Sequence, residues 1–260
     1  MAIRISIITA TWNCARTVVD CLDSVARQRW HAREHVVIDG ASRDGTLAIL
    51  ESHRYRLAML VSEPDRGIYD ALNKGIAHAK GDVIGFLHAD DVFGDVDALS
   101  RVAKAFADPT VDAVYGDLQY VTHEAPGRVV RQWTAQPFRP DLLRRGWMAP
   151  HPTLYARRRV YERLGGFDTR YRIAADYDFM LRLFSKPDLR VVYIPHVQVK
   201  MRVGGASNRS LANILRKSHE DLRALRSNRV GGLGTLAWKN FGKLGQFWVR
   251  ERAKIRFDEL

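Results

Sequence analysis

The sequence predicts an α/β protein: a mostly parallel sheet with helices on both faces, followed by a helical C-terminal tail. Three observations carry this. Through about residue 120, short β-branched apolar runs alternate with segments whose apolar residues recur at helical spacing. Each of the first four apolar runs ends in polar, often acidic, residues, which is where an open parallel sheet gathers its functional groups. From about residue 206 the pattern turns helical and basic.

In chain order, Ile3–Ile8 reads as a buried strand. Ala15–Arg27 carries Val18, Leu22 and Val25 at helical spacing, and His35–Ile38 is a second strand ending at Asp39-Gly40. Asp44-Gly45 opens a helix to about His53, Leu57–Val61 is a third strand, and Tyr69–Ala79 is helical. Val83–Leu87 is a fourth strand, Ala98–Phe106 a helix, and Ala113–Tyr115 lies in a fifth strand. The alternation then fades. Arg128–Trp133 reads as a strand, and four prolines interrupt residues 137–152. A helix over Arg157–Leu164 stops at Gly165-Gly166. Asp176–Phe184 is helical and Val191–Met201 extended.

At 260 residues with a 46% hydrophobic share, the chain is long enough to fold on its own core. Cys14 and Cys21 are the only cysteines, and they read as two buried free thiols in a reducing compartment. No 18-residue apolar run exists, and Met1–Ile8 is too short and strand-like for a signal peptide. Charge is the unusual quantity: 41 Lys and Arg against 29 Asp and Glu, a net +12 that suggests an anionic partner.

The residues at the strand ends bring chemistry to one edge. Thr9, Thr11 and Asn13 follow the first strand, and Asp39, Ser42 and Asp44 the second. Glu63, Asp65 and Arg66 follow the third, and His88, Asp90 and Asp91 the fourth. Asp90-Asp91 offers hard oxygen ligands suited to Mg²⁺ or Mn²⁺ carrying a phosphate. Capping of the next segment explains the same pair equally well.

Several blocks resemble those of the family 2 glycosyltransferases. They are Ile38–Thr46, Ser62–Gly75, Leu87-His88-Ala89-Asp90-Asp91, His151-Pro152-Thr153, Gly165-Gly166-Phe167-Asp168 and Ala174-Ala175-Asp176-Tyr177-Asp178. Together they span residues 3 to about 207, in the family's order. The resemblance implies a GT-A fold and an inverting transfer of sugar from a nucleotide-sugar donor to a hydroxyl. The acceptor it implies is a glycan or a lipid-linked glycan of bacterial polysaccharide or glycolipid synthesis. It divides the chain into a catalytic domain, 1–205, and a basic amphipathic tail, 206–260. Within the domain, 1–118 is the nucleotide-sugar half and 119–205 the acceptor half.

It also implies roles. Thr9, Thr11, Asn13, Asp39, Ser42, Asp65, Arg66, Lys74, Ala89 and Asp90 bind the donor nucleotide. Asp90 and Asp91 hold Mn²⁺ or Mg²⁺, and Asp176 is the base. His151, Trp147 and Asp178 lie on the acceptor side. The metal motif begins with His88 in place of Asp, and Gly204 stands where relatives carry a His, with His196 a substitute.

Residues 200–260 carry 14 Lys and Arg against 5 Asp and Glu, so most of the charge belongs to the tail. Leu233, Ala237, Phe241, Leu244 and Trp248 share a helical face, with Lys239, Lys243 and Arg250 largely between them. Two roles fit: a helix lying on an anionic membrane surface, or a helix packed on its own domain. The resemblance favours the membrane, and so a cytoplasmic protein peripheral to the inner membrane face. Two other functions weigh against transfer. A sugar nucleotidyltransferase needs a Gly-rich basic loop after strand one, which Thr9–Asn13 lacks. A nucleic-acid-binding protein fits the charge, but no reader motif is present.

Overall fold

The computed structural model describes residues 2–123, 128–204 and 211–241. Its framework is a sheet in the order β3-β2-β1-β4-β8-β6-β9-β5, with β7 paired to β6. The strands are β1 (Ile5–Thr11), β2 (Arg33–Asp39), β3 (Met59–Ser62), β4 (Val83–Phe86), β5 (Val92–Phe93), β6 (Val111–Val121), β7 (Val129–Trp133), β8 (Tyr155–Arg157) and β9 (Arg190–Arg202). The helices are α1 (Val18–Ala26), α2 (Thr46–Ser52), α3 (Ile68–His78), α4 (Ala98–Phe106), α5 (Pro140–Arg144), α6 (Arg158–Leu164), α7 (Ala175–Phe184), α8 (Leu211–Ser227) and α9 (Leu233–Phe241).

The parallel character resides in the first half, where β2 and β4 flank β1 and β3 flanks β2. The second half is mixed. The short β8 runs antiparallel between β4 and β6, while β9 returns parallel to β6. Period-two alternation sends β1 side chains to two cores. Ile5 and Ile7 pack with Cys21, Leu99 and Phe106 on one face, and Ile8 packs with Leu72, Ile84 and Phe179 on the other. Helix α3 lies hard on β1, since a Cβ at Gly75 would stand 2.3 Å from Ile8 Cγ2. Cys21 is buried and Cys14 half-buried, and both are free thiols.

The edge of the sheet is knit by one buried carboxylate. Glu34 accepts hydrogen bonds from Ser6 Oγ (2.6 Å), Gly81 N (3.0 Å) and Arg4 (2.7 Å), so the turn entering β4 is tied to β1 and β2.

Three elements differ from the sequence reading. β1 continues to Thr11, three residues beyond the expected end. β6 is eleven residues long because its internal polar groups are paired: Asp112 with Arg159, and Asp117 with Tyr193 Oη and Ala135 N. The third difference concerns the segment that begins at 206. Its described part, 211–241, shares the main core. Ala224 and Leu225 are fully buried beside Tyr177 and Phe179, and Leu236 packs against the same cluster. Lys239, read as part of a polar face, is buried and ion-paired to Asp221 (2.8 Å), with its ammonium 3.1 Å from the Tyr177 ring centroid. For residues 211–241 this is the packed-helix role of the two that the sequence leaves open. Leu244 and Trp248 lie outside the described residues. Among the described residues no helix is long and apolar enough to cross a membrane.

Packing of α8 as core carries a stability cost that can be measured. Leu225→Ala is expected to destabilise the protein by about 2–5 kcal/mol in urea unfolding. An unchanged midpoint would mean that α8 is not part of the cooperative core.

Candidate functional site

One cavity of about 2340 Å³ opens at the C-terminal edge of β1–β4 and runs to the start of α7. On its first side lie Thr11, Trp12 and Asn13 after β1, Gly40 after β2, Asp65 and Gly67 before α3, and His88–Asp91 after β4. On its second side lie β7, His151, Arg172, Asp176 and, from α8, Asn213 and Arg216.

The first side is framed by Asp39. Its carboxylate is fully buried and accepts from Thr11 Oγ1 (2.9 Å), Ser42 N (3.0 Å), Ser42 Oγ (2.5 Å) and Ser62 Oγ (2.7 Å). Burial opposes ionisation, but the Ser42, Ser62 and Thr11 hydrogen bonds outweigh it and hold Asp39 below the usual carboxylate range. Asn13 sits at φ +48° and bridges to the neighbouring loop. Its Oδ1 accepts from Arg43 N, and its own N–H donates to Ser42 Oγ. Thr11, Asn13, Asp39 and Ser42 thus form the scaffold of this edge. The Asp39 carboxylate faces this scaffold and not the open cavity.

Other expected donor contacts fall off the wall. Thr9 lies inside β1, fully buried, and its hydroxyl donates to Leu87 O (2.8 Å) beside His35 Nε2 (2.9 Å). Burial drives the His35 imidazole down to about 3, so it is neutral. Arg66 turns to Asp70 (2.7 Å) and Lys74 to Glu63 (2.6 Å), forming an ion-pair ladder on the outer face of α3. Asp65 does line the cavity. Its Oδ1 accepts from Gly67 N, and its Oδ2 stands 2.5 Å from where a Gly40 Cβ would be.

At the end of β4, Ala89, Asp90 and Asp91 all line the cavity. Asp91 is 1% exposed; one oxygen accepts from Arg202 N (3.2 Å) and the other has no hydrogen-bond partner among the described residues. Burial, reinforced by the Asp90 charge, pushes its carboxyl well above the usual range. Arg202 is itself buried and also donates to Asp90 O (2.8 Å). No group of three or more His, Cys, Asp or Glu among the described residues can hold a metal. Two adjacent carboxylates, one with an unpartnered buried oxygen, still fit Mg²⁺ or Mn²⁺, which take one or two protein carboxylates and fill the remaining positions with phosphate and water. His196 is exposed on β9 and does not line the cavity.

Asp176 stands in the first turn of α7 with both carboxylate oxygens engaged. Oδ1 lies 3.0 Å from the Tyr69 hydroxyl, which also lies 2.7 Å from Ile173 O. Oδ2 lies 3.2 Å from His151 Nδ1. Burial lowers His151 to about 4 against the opposing pull of Asp176, which favours a neutral ring. The His88 ring, 5.9 Å from that of His151, links the β4 end to this cluster.

Two expected acceptor-side residues are elsewhere. Trp147 packs into an aromatic cluster with Tyr115 (5.6 Å) and Phe184 (5.3 Å), away from the cavity wall. Asp178 is buried between Arg182 Nε and Asn228 Nδ2, each at 2.9 Å, and clamps α7 to α8. The sequence reading missed Tyr69, Arg172 and Arg216. Tyr69 stands inside the quoted block Ser62–Gly75, whereas the arginines gave no local signal.

Residues 6–171 match the family model described as glycosyl transferase family 2. The "PGL/p-HBAD biosynthesis glycosyltransferase" of Mycobacterium tuberculosis is 36% identical over 209 residues, 78% of each chain. Two solved structures share the fold at TM-scores of 0.69 and 0.66. They are Staphylococcus aureus TarS 1–349 in complex with UDP-GlcNAc, at 18% identity, and the mannosyltransferase PcManGT of Pyrobaculum calidifontis in complex with GDP-Man and Mn²⁺, at 24%. The first match covers 87% of this chain and 66% of TarS 1–349; the second covers 95% and 72%. Given the matched domain, the identity of its relatives and the site at the edge of its sheet, the chain belongs to glycosyltransferase family 2 and is a glycosyltransferase of GT-A fold.

Proposed function

We propose that the protein is an inverting, metal-dependent glycosyltransferase that moves a sugar from a nucleotide-sugar donor to a hydroxyl of a glycan or lipid-linked acceptor. One observation carries this: a single cavity holds both Asp176, a carboxylate hydrogen-bonded by Tyr69 and 3.2 Å from His151, and the carboxylate pair Asp90-Asp91 at a strand end. The donors in the two similar solved structures, UDP-GlcNAc and GDP-Man, support a nucleotide sugar as the substrate.

In this reading Asp65, Ala89 and Asp90 meet the donor on an edge stiffened by Thr11, Asn13, Asp39 and Ser42. Asp90, with the second oxygen of Asp91 behind it, would hold Mn²⁺ or Mg²⁺. When bound, the ion supplies positive charge to the departing nucleoside diphosphate. Asp176 takes the acceptor's hydroxyl proton while that oxygen bonds to the anomeric carbon and the bond to the diphosphate breaks on the opposite face. Tyr69 serves both protonation states. It donates to Asp176 when the carboxylate is ionised; when Asp176 is protonated, it donates to Ile173 O and accepts the new proton. His151 holds the second oxygen throughout. Asp176→Asn is expected to lower nucleoside diphosphate release by about 10²–10⁴-fold with donor affinity retained. Turnover at the wild-type rate would remove Asp176 as base.

Asp90→Ala is expected to abolish the Mn²⁺-dependence of nucleoside diphosphate binding in calorimetry. Binding that remains equally metal-stimulated would sink the metal assignment.

The protein acts as a cytoplasmic enzyme peripheral to the inner membrane face. Leu233, Ala237 and Trp238 point outward from α9, and the segment carries the chain's excess positive charge. Trp238→Glu is expected to reduce cosedimentation with vesicles containing phosphatidylglycerol; undiminished cosedimentation would exclude this face.

A further inference from the structure

We infer that Glu220, on α8, is a positioning residue for the catalytic base. It holds the backbone of residues 172–174, directly ahead of the first turn of α7 that carries Asp176, and the inference rests on the assignment of Asp176 as base. Glu220 is buried, and its carboxylate accepts three consecutive backbone N–H groups: Arg172 (3.1 Å to each oxygen), Ile173 (2.8 Å) and Ala174 (3.0 Å). These lie directly ahead of α7, whose N-cap position is Ala174, a residue with no side chain able to cap. A carboxylate from another helix therefore fixes the segment that leads into α7, with charge-assisted bonds and a favourable place near the positive end of the helix.

The held segment controls the base through Tyr69. Ile173 O anchors the Tyr69 hydroxyl, and that hydroxyl reaches Asp176 Oδ1. Moving the 172–174 backbone thus moves both the base and its donor. Asn228 Nδ2, just past the C-terminal end of α8, ties the same helix α7 through Asp178. The end of the chain that reads as an anchor consequently sets the orientation of the group that removes the proton.

Glu220→Gln tests this in the full chain, because the amide keeps the shape but turns an N–H₂ toward backbone donors. Nucleoside diphosphate release is measured for wild type, Glu220→Gln, Asp176→Asn and the double variant. In Glu220→Gln, kcat is expected to fall by about tenfold to a hundredfold with the donor KM unchanged. The double variant is expected to be no slower than Asp176→Asn alone, because a misplaced base that is already disabled costs nothing more. A fall in Asp176→Asn with none in Glu220→Gln overturns the role of Glu220 alone. So does a Glu220→Gln loss that multiplies fully with that of Asp176→Asn, or that appears in donor KM and not in kcat. No fall in Asp176→Asn overturns the base assignment and this inference with it.

Discussion

The side of the site at the ends of β1–β4 depends on one buried charge. Asp39 gathers the ends of β1 and β3 and the loop after β2 through Thr11, Ser62 and Ser42. A carboxylate with no exposure is costly unless every lone pair is met, and here four donors meet it. That demand shapes the backbone around it. Ala41 is held at φ +58° between Asp39 and Ser42, a conformation that costs a non-glycine residue about 1–3 kcal/mol. Asn13 is held at φ +48° across from it. The strain persists because the hydrogen bonds overdetermine the loop, which fixes the rim of the cavity before any ligand arrives.

The other side of the cavity follows a second arrangement, in which α7 is held from outside. The segment ahead of it is fixed by Glu220, Asn228 holds Asp178, and Lys239 covers the Tyr177 ring. Helices α8 and α9 are thus packed against the helix that bears Asp176. The positive charge of this region is only partly free for a membrane, since Lys217 and Lys239 both serve Asp221. Opposing burial, these two ammonium groups hold Asp221 below the usual carboxylate range.

Much of the first half was legible because its period is strong. Helices α3 and α4 and strands β2 and β4 each show it within a few residues. The failures have specific causes. Thr9 reads as following the strand because the apolar run ends at Ile8, whereas β1 continues through Thr9 and Ala10 to Thr11. Strands β5 and β8 have two and three residues, too few to display alternation. Asp90 and Asp176 were legible through their blocks, and both line the cavity. Arg66 and Lys74 sit at i−4 and i+4 of Asp70, a pairing visible in the sequence that accounts for their turning away. Trp147, Asp178 and Glu220 depend on contacts 30 or more residues distant, or on which helix lies beside which, and no local pattern encodes that.

The hold on the segment ahead of α7 also constrains how the molecule comes into being. Asp176 leaves the ribosome before Glu220, so a nascent chain passes through a stage in which α7 exists without the carboxylate that fixes residues 172–174. Synthesis runs from the N-terminus, and strands β1–β4 and the Asp39 frame are complete early. The side of the cavity formed by α7 closes only when α8 folds back. A chain stalled before residue 220 therefore carries the Asp39-framed side of the cavity without the contacts that fix the entry to α7.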